Sequence, residues 1–136
     1  MSLYAVRRAH LIEAIGADSD PDIPRRMLDA GCGEGSFSRA LTELGHRVDG
    51  IDTSTTAITE CRRLAVGSDS YAVSSLRSWR PPCLYDAVVC IDVMFHLMDD
   101  DEWLSSLRNL AALVRLGGRL VVSDHDAGED TVWGSY

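Results

Sequence analysis

At 136 residues, 46% hydrophobic and 25% charged, the chain has the make-up of one globular domain and not of a disordered or multidomain protein. Its net charge of −8, with arginines in isolated pairs (Arg7-Arg8, Arg25-Arg26, Arg62-Arg63), leaves no basic stripe to lie on phosphates, so neither nucleic acid nor an anionic membrane is expected as a partner. No apolar stretch reaches the roughly 20 residues that span a bilayer, and no signal peptide is read at the N-terminus. The four cysteines (Cys32, Cys61, Cys83, Cys90) have neither CxxC nor zinc-like spacing; reduced thiols in the cytoplasm are expected.

Short apolar runs alternate with amphipathic segments, the pattern of βαβ units in a parallel sheet. Tyr4 to Ile15 carries apolar residues at helical spacing (Val6, Leu11, Ala14, Ile15), and residues 16–24 form a turn-rich connection. Arg26 to Ala30 is a short buried strand running into Gly31-Cys32-Gly33-Glu34-Gly35. Ser36 to Leu44 is a helix with Phe37, Ala40, Leu41 and Leu44 on one face, and Gly45 stands where a glycine stop belongs. His46 to Ile51 is a second strand ending at Asp52; Thr53 or Ser54 can cap a third helix through about Leu64. Ser70 to Ser74 is a weak strand, and Leu76 to Cys83 is irregular around Pro81-Pro82. Tyr85 to Ile91 is the strongest strand. Asp99 to Val114 is a helix expected to turn Trp103, Leu107 and Leu110 inward; Gly117-Gly118 closes the connection, and Arg119 to Ser123 is a fifth strand. The layout is one domain over 1–136: a helix and connection (1–24), a core (25–124) and a polar tail (125–136).

The glycine loop opens a helix. Glycine admits backbone angles other residues avoid and lets a ligand touch bare backbone, while the helix start offers unpaired N–H groups and a positive dipole end. About 20 residues on, Asp52 ends the second strand, where a carboxylate can accept hydrogen bonds from ribose hydroxyls. Loop and acid together indicate a nucleoside-containing cofactor. The dinucleotide pattern GxGxxG fails because Ser36 occupies its last position, and no second mononucleotide half follows, which argues against an NAD-type oxidoreductase.

Four segments in this order resemble the class I S-adenosylmethionine-dependent methyltransferase family. They are Met27 to Gly35, Val48 to Ser54, Tyr85 to Leu97, and Leu113 to Val122, together spanning most of the chain. The resemblance implies an α/β fold, a doubly wound parallel sheet of strand order 3-2-1-4-5 with helices on both faces. It implies S-adenosyl-L-methionine as cofactor and S-adenosyl-L-homocysteine as product. Carried onto this sequence, Gly31 and Gly33 approach the methionine portion with Cys32 between them also cofactor-binding, Asp29 helps hold the ammonium, Asp52 binds the ribose, and Thr53 packs beside the adenine. Cys90 and Asp92 line the methionine and acceptor side. This chain departs from the family at Val73-Ser74-Ser75-Leu76, where many members place an acid near the adenine amine and Ser74 takes that position. Leu116 replaces the usual proline. Most or all of the usual strand 6–7 hairpin is not seen, so a truncated chain, or a second copy or partner segment completing the sheet edge, is the expectation.

Methyl transfer from a sulfonium is an in-line displacement, so the protein mainly aligns the acceptor and excludes water; a base is required only for a protonated nucleophile. His96, just past the fourth strand, is the candidate base or acceptor contact, its alternative being a helix-capping or packing residue. Asp124, His125 and Asp126 alternate in direction on an extended segment and are not expected to chelate a metal; Trp79, Trp103 and Trp133 are expected to pack. The expected function is methyl transfer to a small-molecule oxygen or nitrogen acceptor. The alternative is a cofactor-binding module or fragment needing a missing segment or partner.

Overall fold

A computed structural model describes residues 3–15, 23–91 and 99–123, with side chains described from residue 9 onward. Five parallel strands form one sheet in the order β3-β2-β1-β4-β5, the order expected from the sequence. They are β1 (Arg26–Ala30), β2 (Arg47–Asp52), β3 (Ser70–Val73), β4 (Tyr85–Cys90) and β5 (Val114–Val122). Four helices connect or flank them: α1 (Leu3–Ile15), α2 (Ser36–Glu43), α3 (Thr55–Leu64) and α4 (Asp100–Ala112).

The central strands are buried on both faces, so alternate residues feed two cores. Leu28, Ala30, Val88, Cys90, Leu120 and Val122 pack with Leu110 and Leu113 on the α4 side. Met27, Val48, Ala87, Val89 and Val121 pack with Leu11, Ile15 and Leu41 on the α1 and α2 side. A smaller cluster of Ile58, Cys61 and Tyr71 joins α3 to β3.

Local chemistry fixes the helix ends. Gly45 (φ 97°) donates to the Thr42 carbonyl at 2.9 Å and His46 N–H to that of Leu41 at 3.2 Å, the paired bonds of a Schellman stop. The Ser54 hydroxyl accepts from Ala57 N–H at 3.1 Å, so Ser54, and not Thr53, caps α3. Asp99 caps α4 through Asp101 N–H, and Asp100, Asp101 and Glu102 load its first turn with the charge its dipole favours.

Three expectations are corrected. The fifth strand starts at Val114, not Arg119, and carries Gly117-Gly118 inside it. Tyr85 pairs with Val114 but Ala87 pairs with Arg119, so β5 carries extra residues in a bulge between them. Gly118 is required there, since a Cβ would meet the Asp86 carbonyl oxygen at 2.6 Å, and Gly117 adopts φ 81°. Trp103 is 38% exposed, and Leu44 also faces solvent. Ser106 and Leu110 take the inner face of α4, and Ser38, Ala40 and Leu41 that of α2.

Candidate cofactor site

The site forms where β1 and β2 end, at the carboxyl edge of the sheet, the usual ligand position in open α/β folds. Gly31, Gly33 and Gly35 have φ of 77°, 54° and 87°, a left-handed series that turns the chain sharply from β1 into α2. Backbone N–H groups of Gly31 and Cys32 both donate to the Ile51 carbonyl, at 2.7 and 2.9 Å, tying the loop to β2. A Cβ added at Gly33 would meet no atom within 4 Å, so this glycine serves the turn and leaves open space above the loop.

Asp52 holds this corner together. One carboxylate oxygen accepts from Gly33 N–H at 3.0 Å, the other from Ser54 N–H at 2.8 Å, and its carbonyl accepts from Ser74 N–H at 3.0 Å. The side chain is half-buried. Each oxygen of an ionised carboxylate has two lone pairs, so both retain capacity for an outside hydroxyl donor.

Asp29 lies deeper, 3% exposed, at the end of β1. The Ser38 hydroxyl donates to its Oδ2 at 2.7 Å. Burial and then the nearby Asp52 charge push its carboxyl up to about 6 from 3.8, against the opposing pull of Ser38. A cation reaching this carboxylate would lower that cost. Ser38 was not legible as a site residue. A polar side chain in a helix reads as solvent-facing, yet it is fully buried under the loop.

The sequence-derived residues fall into three groups. Asp29, Gly31, Cys32, Gly33, Asp52 and Ser74 gather around the loop and the ends of β1, β2 and β3. Thr53 is exposed beside them, and the Ser74 hydroxyl donates to the Ser75 carbonyl at 3.0 Å. Cys90 has a fully buried side chain in the core, its thiol pushed up to about 12 by burial, and its carbonyl accepts from Ser123 N–H at 3.0 Å. It therefore offers a ligand no exposed side-chain surface. Asp92, His96, Asp124, His125, Asp126 and Trp133 lie outside the described residues. A surface groove of about 630 Å³ lined by Glu34, Ser54, Thr55 and Glu60 flanks the loop but includes neither Asp29 nor Asp52, so the chemistry is not centred there.

A parallel α/β sheet with a left-handed glycine loop, an acid at the end of the neighbouring strand bonded to that loop, and a buried carboxylate beneath defines a Rossmann-type domain. The chain belongs to the methyltransferase domain family, whose family model matches residues 27–118. It is 33% identical over 105 residues to the ubiquinone biosynthesis O-methyltransferase of Cupriavidus pinatubonensis, covering 73% of this chain and 41% of that protein. The mitochondrial ubiquinone biosynthesis O-methyltransferase of Schizosaccharomyces pombe is 31% identical, with 73% and 37% covered. The chain thus spans about two-fifths of the length of the curated relatives it matches. Among solved structures, magnesium protoporphyrin IX methyltransferase from Synechocystis with bound SAM superposes with a TM-score of 0.74 at 28% identity, covering 88% of this chain and 58% of that one. The N-methyltransferase NodS from Bradyrhizobium japonicum, in complex with S-adenosyl-L-homocysteine, shares the fold with a TM-score of 0.78 at 24% identity, covering 91% and 63%. No helix among the described residues is long and apolar enough to cross a membrane.

Proposed function

We propose that this chain binds S-adenosylmethionine at the carboxyl edge of β1 and β2 and takes part in methyl transfer to a small-molecule acceptor in the cytoplasm. The observation that carries the reading is Asp52. Its carboxylate is fastened to Gly33 and Ser54 N–H groups with acceptor capacity left over, beside open space at Gly33. The residues fit the cofactor in charge as well. Asp29 is a buried carboxylate whose ionisation is costly until a cation such as an ammonium is near, and Asp52 suits a ribose diol. When bound, the cofactor supplies an electrophilic methyl on a sulfonium.

The chain's own contribution is orientation. Asp52 and the glycine loop fix one end of the ligand through groups already held rigid, and Asp29, oriented by Ser38, fixes its charged end. His96, which follows β4 in the sequence, is the residue we assign to the acceptor, as proton acceptor where the nucleophile arrives protonated. Oxygen is favoured over nitrogen because sequence relatives above 30% identity are O-methyltransferases. The test is release of S-adenosylhomocysteine from S-adenosylmethionine across a panel of small phenols, alcohols and amines, comparing the parent chain with His96→Ala. The reading expects turnover on a hydroxyl acceptor that falls at least about tenfold in the variant while S-adenosylhomocysteine affinity is kept. Equal turnover in both would remove His96. Cofactor binding without turnover on any acceptor would favour the second reading, a cofactor-binding segment of a larger active unit, which the coverage of about two-fifths supports.

A further inference from the structure

Two thiols meet beneath the glycine loop. Cys32, on the loop, and Cys61, on α3, bring their sulfurs to 4.0 Å. Both cysteines are free. The Cys61 thiol donates to the Gly33 carbonyl at 3.0 Å, and Cys32 reaches the same oxygen at 3.7 Å. Two glycines keep space for these sulfurs. A Cβ at Gly35 would meet Cys61 Sγ at 3.0 Å, and one at Gly50 would meet Cys32 Sγ at 3.0 Å. Gly33, which receives the thiol bond through its carbonyl, also donates its N–H to Asp52. The thiol pair and the ribose-accepting carboxylate therefore hold opposite ends of one residue.

We infer that Cys32 and Cys61 are an oxidisable pair whose closure to a disulfide pulls the glycine loop out of its cofactor-holding shape. The sulfurs must approach from 4.0 Å to about 2 Å. Cys61 is fully buried beside Ile58 and Tyr71 while Cys32 is half-buried on the loop, so the movement falls on the loop and strains its two bonds to the Ile51 carbonyl. Closure also removes the S–H donor that holds the Gly33 carbonyl. The oxidant class is a peroxide. One thiolate attacks a peroxide oxygen, the O–O bond breaks, and a sulfenic acid and hydroxide form. The second thiol then attacks the sulfenic sulfur, the S–S bond forms and water leaves, so two thiols lose two electrons and two protons and hydrogen peroxide becomes two waters. Burial holds both thiols above their ordinary range, with Asp29 and Asp52 adding repulsion, so the thiolate is scarce at neutral pH and closure quickens as pH rises.

The effect on cofactor affinity rests on the function proposed above; the disulfide and the loop's response do not. The experiment uses the full chain carrying Cys83→Ser, because Cys83 is exposed and would couple chains together. After hydrogen peroxide treatment, tryptic mapping without reductant is expected to show residues 27–39 linked to residues 48–62, with faster amide hydrogen exchange in 27–39. S-adenosylhomocysteine affinity is expected to fall at least about tenfold and to return with dithiothreitol. Cys61→Ser and, separately, Cys32→Ser should abolish the link. Absence of the linked peptide at a peroxide dose that fully oxidises Cys83 in the parent chain overturns the inference. So does a linked peptide with unchanged exchange and affinity. If the reduced chain fails to bind S-adenosylhomocysteine at all, the cofactor reading fails, and the linked peptide and exchange rates still decide the thiol pair.

Discussion

Asp29 sets stability against binding in a way that can be measured. Its carboxyl is held at about 6 in the folded chain against 3.8 for the ordinary group. A carboxyl raised on folding contributes stability that is complete below pH 3.8 and is lost as pH rises through 6. The shift corresponds to about 3 kcal/mol lost by neutral pH, of which about 1 kcal/mol is already gone at pH 4.5. Asp29→Asn keeps the size and an oxygen for the Ser38 hydroxyl but cannot ionise. Urea unfolding at pH 7.5 should therefore show the variant more stable than the parent by up to about 3 kcal/mol, with about 2 kcal/mol of that advantage gone at pH 4.5. The same variant should bind S-adenosylhomocysteine more weakly, because the proposed placement sets the ligand's ammonium against this carboxylate. A variant no more stable than the parent at pH 7.5, or an advantage independent of pH, would refute the reasoning.

Other consequences follow from the same corner. In the proposed placement S-adenosylhomocysteine competes with the Asp29 proton below pH 6, so titration calorimetry should show affinity about tenfold lower at pH 5 than at pH 8. Ser38→Ala removes the hydroxyl bond to a buried carboxylate; at pH 7.5 it should cost about 1.5–3 kcal/mol in urea unfolding and move the midpoint of that pH profile upward. Gly50→Ala would place a methyl 2.7 Å from Tyr71 Cδ1 and 3.0 Å from Cys32 Sγ, and chemical denaturation should show a loss of about 1–3 kcal/mol.

Much of this arrangement could be read along the chain because it rests on local patterns. Short apolar runs bounded by Gly45, Asp52 and the Ser54 cap define β1, α2, β2 and α3, and the order of the sheet follows from the motif resemblance. The glycine loop and Asp52 were legible for the same reason, since glycines at fixed spacing need a left-handed turn. What escaped depends on contacts distant in sequence. Gly117-Gly118 reads as a turn, yet the passage of β5 across the Asp86 carbonyl makes it a bulge within a strand. Trp103 reads as an inward anchor by periodicity, but the inner face of α4 is set by Ser106 and Leu110. Ser38 and Cys61 look like ordinary helix residues and acquire roles only because Asp29 and Gly33 fold onto them.

Asp52 fastens the glycine loop to the end of β2 and, in the function proposed above, also takes the ribose. Isothermal titration of S-adenosylhomocysteine into the parent chain and into Asp52→Ala, with NADH as a control ligand, tests it most directly. The account predicts binding in the micromolar range to the parent, a loss of at least about a hundredfold in the variant, and no heat with NADH. Undiminished binding to Asp52→Ala, or NADH binding in place of S-adenosylhomocysteine, would contradict it.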